Sequence, residues 1–264
     1  MSTEQTSSLA KKLKVLLTND DGIHAPGILA MERALGELPD VEVWTVAPDR
    51  GCSASSHGMT LARPVFTEEL GLRRIAVDGK PADCVYLAMF GLMESRPDVV
   101  VSGINHGANL GCDVIYSGTV AGAREGAARG VHGVAVSLVE GSDFEPVAAS
   151  AAKIVVEIAR CPKSRVLLLN LNYPGGQFKG PRMAPLGVRK YPEMVEQRVA
   201  RLTQQTYYWL GGPPVEDTQI PGTDGGLIGS GIASATLLRL DQTDEPAMTE
   251  AETLTPFIDT PKEK

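Results

Sequence analysis

Aromatic residues make up only 5% of this 264-residue chain, and no run of about 18 apolar residues occurs in it. The second absence excludes a helix that crosses a membrane. The four cysteines, Cys52, Cys84, Cys112 and Cys161, form no CxxC pair, and no secretory apolar segment is present. Both facts point to reduced thiols and a cytoplasmic protein. Basic residues are also in deficit: 25 Lys and Arg face 32 Asp and Glu, for a net charge of -7 and a pI near 5.2. A field of that sign excludes broad attraction to a nucleic-acid duplex or an anionic membrane. An anionic substrate would need a local cationic site.

Several catalytic signatures are missing too. The first strand-to-helix turn carries no GxGxxG, as a dinucleotide-binding dehydrogenase would require. Neither GxxxxGK[ST] nor GxSxG occurs, which argues against a P-loop hydrolase and a serine hydrolase with a nucleophile elbow. No HExxH pair is present, and the histidines His24, His57, His106 and His132 are scattered. His132, just before a strand, is read as structural, whereas His106 beside Asn105 is the most interesting of the four.

What is present is an alternation of short apolar strands with amphipathic helices. Residues 14 to 18, 41 to 47, 97 to 103, 134 to 138 and 165 to 172 read as strands buried on both faces. Between them, "GILAMERALGEL" places Ile28, Met31, Leu35 and Leu38 at helical spacing, and a second helix starts near Pro81. Helical crossovers between apolar strands imply a parallel, doubly wound α/β sheet covered on both faces, because such crossovers are right-handed. The pieces near "MTLARPVF" and "RRIAVDG" are expected to pair as a hairpin. Beyond residue 178 the pattern turns to separated strands, so the expected division is a core domain at 13–178, a β-rich extension at 179–245 packing on the same core, and tails at 1–12 and 246–264.

In an open α/β sheet, ligands bind outside the carboxyl ends of the strands. The loops there hold Asn19, Asp20 and Asp21, then Ser53, Ser55 and Ser56, then Ser102, Asn105 and Asn109. Adjacent carboxylates beside an apolar strand repel by about 1 to 4 kcal/mol at about 4 Å, depending on burial. A cation relieves this. Oxygen donors without a histidine or cysteine cluster suit a hard ion, magnesium or manganese rather than zinc. The competing reading is that Asp-Asp-Gly merely closes an Asx-type turn. Ser117, Gly118 and Thr119 start a helix, and such an N-terminus attracts phosphate, although an ordinary Ser/Thr cap gives the same pattern.

The stretches "LLTNDDGIHAPGI", "VAPDRGCSASS", "DGKPADCVYLA", "PDVVVSGINHGANLGCDVIYSGTVAGAREG" and "PGTDGG" resemble the SurE survival-protein family of 5'-nucleotidases, over about residues 13 to 240. That resemblance implies a Rossmann-like, three-layer domain with a β extension that builds homodimers or homotetramers by exchanging C-terminal segments. It also implies metal-dependent hydrolysis of nucleoside 5'-monophosphates by a phosphoric monoester hydrolase holding one magnesium or manganese ion per subunit. Carried over residue by residue, its metal ligands fall on Asp20, Asp21, Ser53 and Asn105, and its phosphate contacts on Asn109, Ser117, Gly118 and Thr119. Asp20 and Asp21 are then the catalytic pair, acting through a metal-activated water, with Asp20 alternatively a base or nucleophile. The chain departs from the family at Lys80, where threonine is common. The alternatives are a phosphometabolite-binding module without turnover and a phosphatase or exopolyphosphatase of broader specificity.

Overall fold

The computed structural model describes residues 12–191, 194–211, 216–217 and 219–244. Apart from Lys12, the expected tails at 1–12 and 246–264 lie outside the described residues. Nine strands form one sheet in the order β3-β4-β2-β1-β5-β6-β7-β13-β8. Six adjacent strands are parallel: β4 (Arg74–Val77), β2 (Val41–Pro48), β1 (Leu13–Thr18), β5 (Val99–His106), β6 (His132–Leu138) and β7 (Leu168–Tyr173). β3 (Thr67–Gly71) closes one edge antiparallel to β4, and β13 (Ile232–Leu237) runs antiparallel to β7 with β8 (Lys179–Met183) parallel beside it.

The continuous apolar runs follow from cover on both faces. Val15 and Leu17 of β1 face one core with α1 (Pro26–Gly36) and α4 (Glu145–Arg160), while Leu16 faces a second core with α2 (Pro81–Leu87). All three are fully buried, each worth about 1.5 to 3 kcal/mol relative to exposure. α3 (Gly118–Ala128) lies on the α2 side and packs on β5 and β6. The layers are therefore helices, sheet, helices, and the protein is a three-layer α/β structure with a mostly parallel sheet.

Local chemistry explains the turn from β1 into α1. Asn19 donates its side-chain amide to the Gly22 carbonyl at 2.8 Å, and Gly22 takes a φ of 101°. Pro26 then supplies the first residue of α1, where a missing N–H costs nothing. A Cβ on Gly27 would lie 1.9 Å from the Ile104 carbonyl oxygen, so only glycine lets α1 approach β5 this closely.

Some expected elements moved. The hairpin arm expected near "MTLARPVF" is not a strand. The pairing segment is Thr67–Gly71, and its partner Arg74–Val77 joins the main sheet as a parallel strand. Residues 59–66 contain Pro64, which cannot donate to a ladder. The helix from Pro81 gives way to a π-helical turn at Ala88–Leu92. After β8, "MAPLGVRKY" holds only the two-residue β9 (Arg189–Lys190), paired with β12 (Glu216–Asp217), and β10 (Val195–Val199) and β11 (Thr206–Leu210) make a separate hairpin. A short helix, α5 (Asp224–Gly229), precedes β13.

Candidate active site

The order β4-β2-β1-β5-β6-β7 reverses direction between β1 and β5, which is the switch point of a doubly wound sheet. At the carboxyl ends of those two strands opens a cleft of about 270 Å³ lined by Asp20, Ser53, Asn105, Asn109 and Ser117 among others. A larger hollow of about 440 Å³ lies at the amino ends of β1 and β2, beside Leu38, Val41 and Arg160, where no set of reactive groups gathers. Chemistry rather than size decides between them.

Asn19 makes the turn, so the two aspartates beside it are left for other work. Asp20 is 5% exposed, and its Oδ1 accepts a hydrogen bond from the Thr119 hydroxyl at 2.6 Å. Burial pushes its carboxyl up to about 6; the Asp21 charge adds to the rise, while hydrogen bonding from Thr119 opposes it. Cys52 donates its backbone N–H to the Asp20 carbonyl at 2.8 Å, which pins the serine-rich loop after β2 against this turn. Asp21 accepts from the His106 backbone N–H at 3.0 Å through Oδ2. The two carboxylates are thus held by different elements, Asp20 by the first turn of α3 and Asp21 by the end of β5.

Asn105 belongs to the end of β5, not to a loop, where the register with β6 shifts between Ser102 and Asn105. Its Nδ2 donates to the Gly107 carbonyl at 2.9 Å, so of its amide only the oxygen could serve a cation. Asn109 is buried and fully harnessed: its N–H donates to Asn172 Oδ1 at 2.9 Å, its Nδ2 to Ser137 Oγ at 2.8 Å, and its carbonyl accepts from Asn170 and Asn172. Ser117 caps α3 by accepting from the Val120 N–H at 3.0 Å.

The cleft brings together Asp20, Ser53, Asn105, Asn109 and Ser117, whereas Asp21, Gly118 and Thr119 are absent from its lining. Thr119 is fully buried with its hydroxyl committed to Asp20, so the helix start read from sequence as a phosphate grip cradles a carboxylate. Gly118 has a packing reason as well: a Cβ there would meet Ser55 Oγ at 2.7 Å and Asp20 Oδ2 at 2.9 Å. Asp113, Tyr116 and Tyr191 also line the cleft and were not among the residues singled out. Asp113 and Tyr116 lie inside the motif "GCDVIYSGTV", but nothing in the sequence connects Tyr191 to it.

Two of the histidines take structural roles. His132 is fully buried, with Nε2 at 3.1 Å from the Cys161 carbonyl and Nδ1 accepting from the Leu167 N–H. His57 pairs with buried Glu125 at 2.8 Å. All four cysteines are free.

Comparison with known proteins fits this geometry. The family described as "Survival protein SurE" matches residues 15–193. The chain belongs to the SurE family. The protein called 5'-nucleotidase SurE from Anaeromyxobacter dehalogenans (strain 2CP-1 / ATCC BAA-258) is 46% identical over 245 residues, covering 90% of this chain and 94% of that protein. The protein of the same name from Herpetosiphon aurantiacus is 42% identical over 243 residues, covering 88% and 94%. The crystal structure of the SurE protein from Aquifex aeolicus superimposes with a TM-score of 0.78 at 36% identity, covering 91% of this chain and 99% of that one.

A cation fits the donor set at the SurE cleft. Asp20, Asp21, Ser53 and Asn105 offer only carboxylate, hydroxyl and amide oxygens, the type that suits a hard divalent ion. Among the described residues no three His, Cys, Asp or Glu side chains gather as a metal cluster, so amide and hydroxyl oxygens would complete the pair of carboxylates.

Proposed function

We propose that this SurE-family protein is a metal-dependent 5'-nucleotidase that hydrolyses nucleoside 5'-monophosphates to nucleoside and phosphate at the cleft between β1 and β5. The observation that carries this reading is the buried Asp20 carboxylate, set against Asp21 and braced by the first turn of α3 at the switch point. Buried carboxylates with perturbed proton affinity cluster at functional sites. The names of the relatives from Anaeromyxobacter and Herpetosiphon support the substrate class.

Asp20, Asp21, Ser53 and Asn105 would hold one magnesium or manganese ion. When bound, that ion supplies Lewis-acid polarisation of a phosphoryl oxygen and activation of the attacking water. The chain's own residues position the reaction. Asn109 would orient the phosphoryl group, fixed by Ser137 and Asn172 so that no reorganisation is needed as charge shifts. Ser117 keeps the start of α3 in place, and Thr119 holds Asp20 in its working orientation.

Four free cysteines support a reducing, cytoplasmic setting. The β10–β11 hairpin, with Tyr208, Trp209 and Leu210 between 58% and 81% exposed, supports a role for the extension from residue 179 onward as an oligomerisation arm.

The test is phosphate release from a nucleoside monophosphate with and without added magnesium or manganese. Activity should vanish on thorough chelation and return with metal. Asp20→Asn should remove most of it and weaken metal affinity while leaving the thermal transition in place. Activity undiminished by chelation, or near-normal turnover of Asp20→Asn, would overturn the assignment, and tight phosphate binding without turnover would favour a sensor.

A further inference from the structure

Ser53 is exposed on the cleft, and no partner among the described residues holds its hydroxyl, so the path of its loop decides where that oxygen sits. That path is strained: Ala54 and Ser56 take φ of 55° and 51°, the left-handed region that residues other than glycine rarely adopt. Backbone of this kind persists only where surrounding contacts hold it. The contacts lie on both sides of Ser53. Before it, Cys52 is tied to the Asp20 carbonyl. After it, Ser56 donates its N–H to the Tyr116 carbonyl at 2.9 Å and its hydroxyl to the Ile115 carbonyl at 2.8 Å. His57 follows, with Nε2 at 2.8 Å from Glu125 Oε2.

The last of these contacts reaches the body of α3. Glu125 is buried there, its side chain 4% exposed, and its other oxygen, Oε1, accepts from Arg129 Nε at 2.9 Å, so both carboxylate oxygens are committed. Hydrogen bonds to an ionised group are among the stronger ones. The same helix grips Asp20 through Thr119, six residues earlier. At about 1.5 Å of rise per residue, the two grips lie about 9 Å apart on one rigid rod. α3 therefore sets the position of the Ser53 loop relative to Asp20.

We infer that His57 and Glu125 form the latch that keeps Ser53 in register with Asp20, so that both can serve one cation without rearrangement of the loop. Both are positioning residues, acting through Ser53. This rests on the reading of Ser53 as a ligand of the cation. It gives the His57–Glu125 pair a part in metal affinity, although neither side chain lines the cleft. Groups that orient a ligand from behind account for about ten- to hundredfold of metal affinity.

The experiment titrates the full chain with manganese alone, by calorimetry, and follows thermal unfolding without metal. His57→Ala should raise the manganese dissociation constant by about tenfold, whereas His57→Gln, which keeps a donor for Glu125, should stay within about threefold of wild type. Ser53→Ala should weaken binding too, and adding His57→Ala to it should cause no further loss, because a latch acts only through the residue it positions. Arg129→Ala removes the other partner of Glu125 and is the control for a merely structural role: it should lower the unfolding midpoint and leave manganese affinity unchanged. Ser56→Ala, combined with Ser53→Ala in the same cycle, decides the matter if His57→Ala does not fold. His57→Ala within about twofold of wild type, losses that add in the double variant, or an equal loss in Arg129→Ala would overturn the inference. A wild type that binds no manganese would instead refute the metal-dependent reading itself.

Discussion

Substituting Gly118 by alanine adds one methyl group at the point where α3 meets Asp20. The new Cβ would lie 2.7 Å from Ser55 Oγ, 2.8 Å from Asp20 Cβ and 2.9 Å from Asp20 Oδ2. Ordinary carbon contacts sit at about 3.5 to 4.0 Å, so the helix start and Asp20 must separate by roughly 0.7 Å. Overpacking of this kind costs about 1 to 3 kcal/mol, against a gain of up to about 1 kcal/mol from alanine's better helix propensity. The net is a loss of about 0 to 3 kcal/mol, but the effect on catalysis is larger, because misplacing a reacting group by about 1 Å can cost about 100-fold. Gly36→Ala is the control: it ends α1 with nothing within 4 Å of its Cβ, and should stabilise by up to about 1 kcal/mol without touching turnover. Thermal unfolding and kcat/KM for phosphate release, measured on both variants, separate the two effects. Gly118→Ala with kcat/KM within twofold of wild type would refute the packing of α3 against Asp20 as a condition of activity.

Glu125 tests a buried charge outside the site: burial pushes its carboxyl up, yet hydrogen bonds from His57 and Arg129 outweigh this and hold it below the ordinary carboxylate value of 4.5. A depressed folded-state pKa contributes stability that is present above the unfolded value and lost as pH falls through the folded one, so the loss begins below about pH 5. Glu125→Gln should lower stability at pH 7 by about 1 to 3 kcal/mol and flatten that acid decline, as read from urea midpoints at pH 7 and pH 4; an unchanged decline would count against it. Asp224 is 1% exposed and accepts from the N–H groups of Gly111, Gly187 and Gly225 at 2.7 to 2.9 Å, clamping the segment after β8 to the turn that carries Asp113. Asp224→Asn should cost about 1 to 3 kcal/mol and reduce nucleotide turnover, and a transition midpoint equal to wild type would show that the clamp is dispensable.

The parallel core was legible because burial on both faces leaves a continuous apolar run, as in "VLLT" and "VVVSG", and because α1 and α4 each keep one apolar stripe. β3 was misplaced since its residues are almost wholly exposed, leaving no hydrophobic alternation to read. Asp20 and Asn105 were legible as strand-end polar groups. The job of Thr119 was not, since a threonine at a helix start reads as a cap and only the approach of α3 to β1 turns its hydroxyl onto Asp20. Tyr191 was invisible for a different reason: it reaches the cleft from a stretch with two-residue strands, where tertiary closure, not local pattern, sets position.

The electrostatics of the cleft bear on the cation more directly than any motif does. Among the described residues lining it are two carboxylates, Asp20 and Asp113, and no lysine or arginine. A phosphate dianion entering beside Asp20 would meet repulsion of about 4 kcal/mol per unit-charge pair at about 4 Å and an effective dielectric of about 20. Arg189 pairs with Asp113 and offsets its charge. A divalent ion held by Asp20, Asp21, Ser53 and Asn105 would cancel the two carboxylate charges and so remove the repulsion where phosphate enters. The same acidity that sets the chain's overall charge at -7 thus becomes selective when the cation binds. Phosphate affinity should therefore depend on metal concentration before any chemistry occurs.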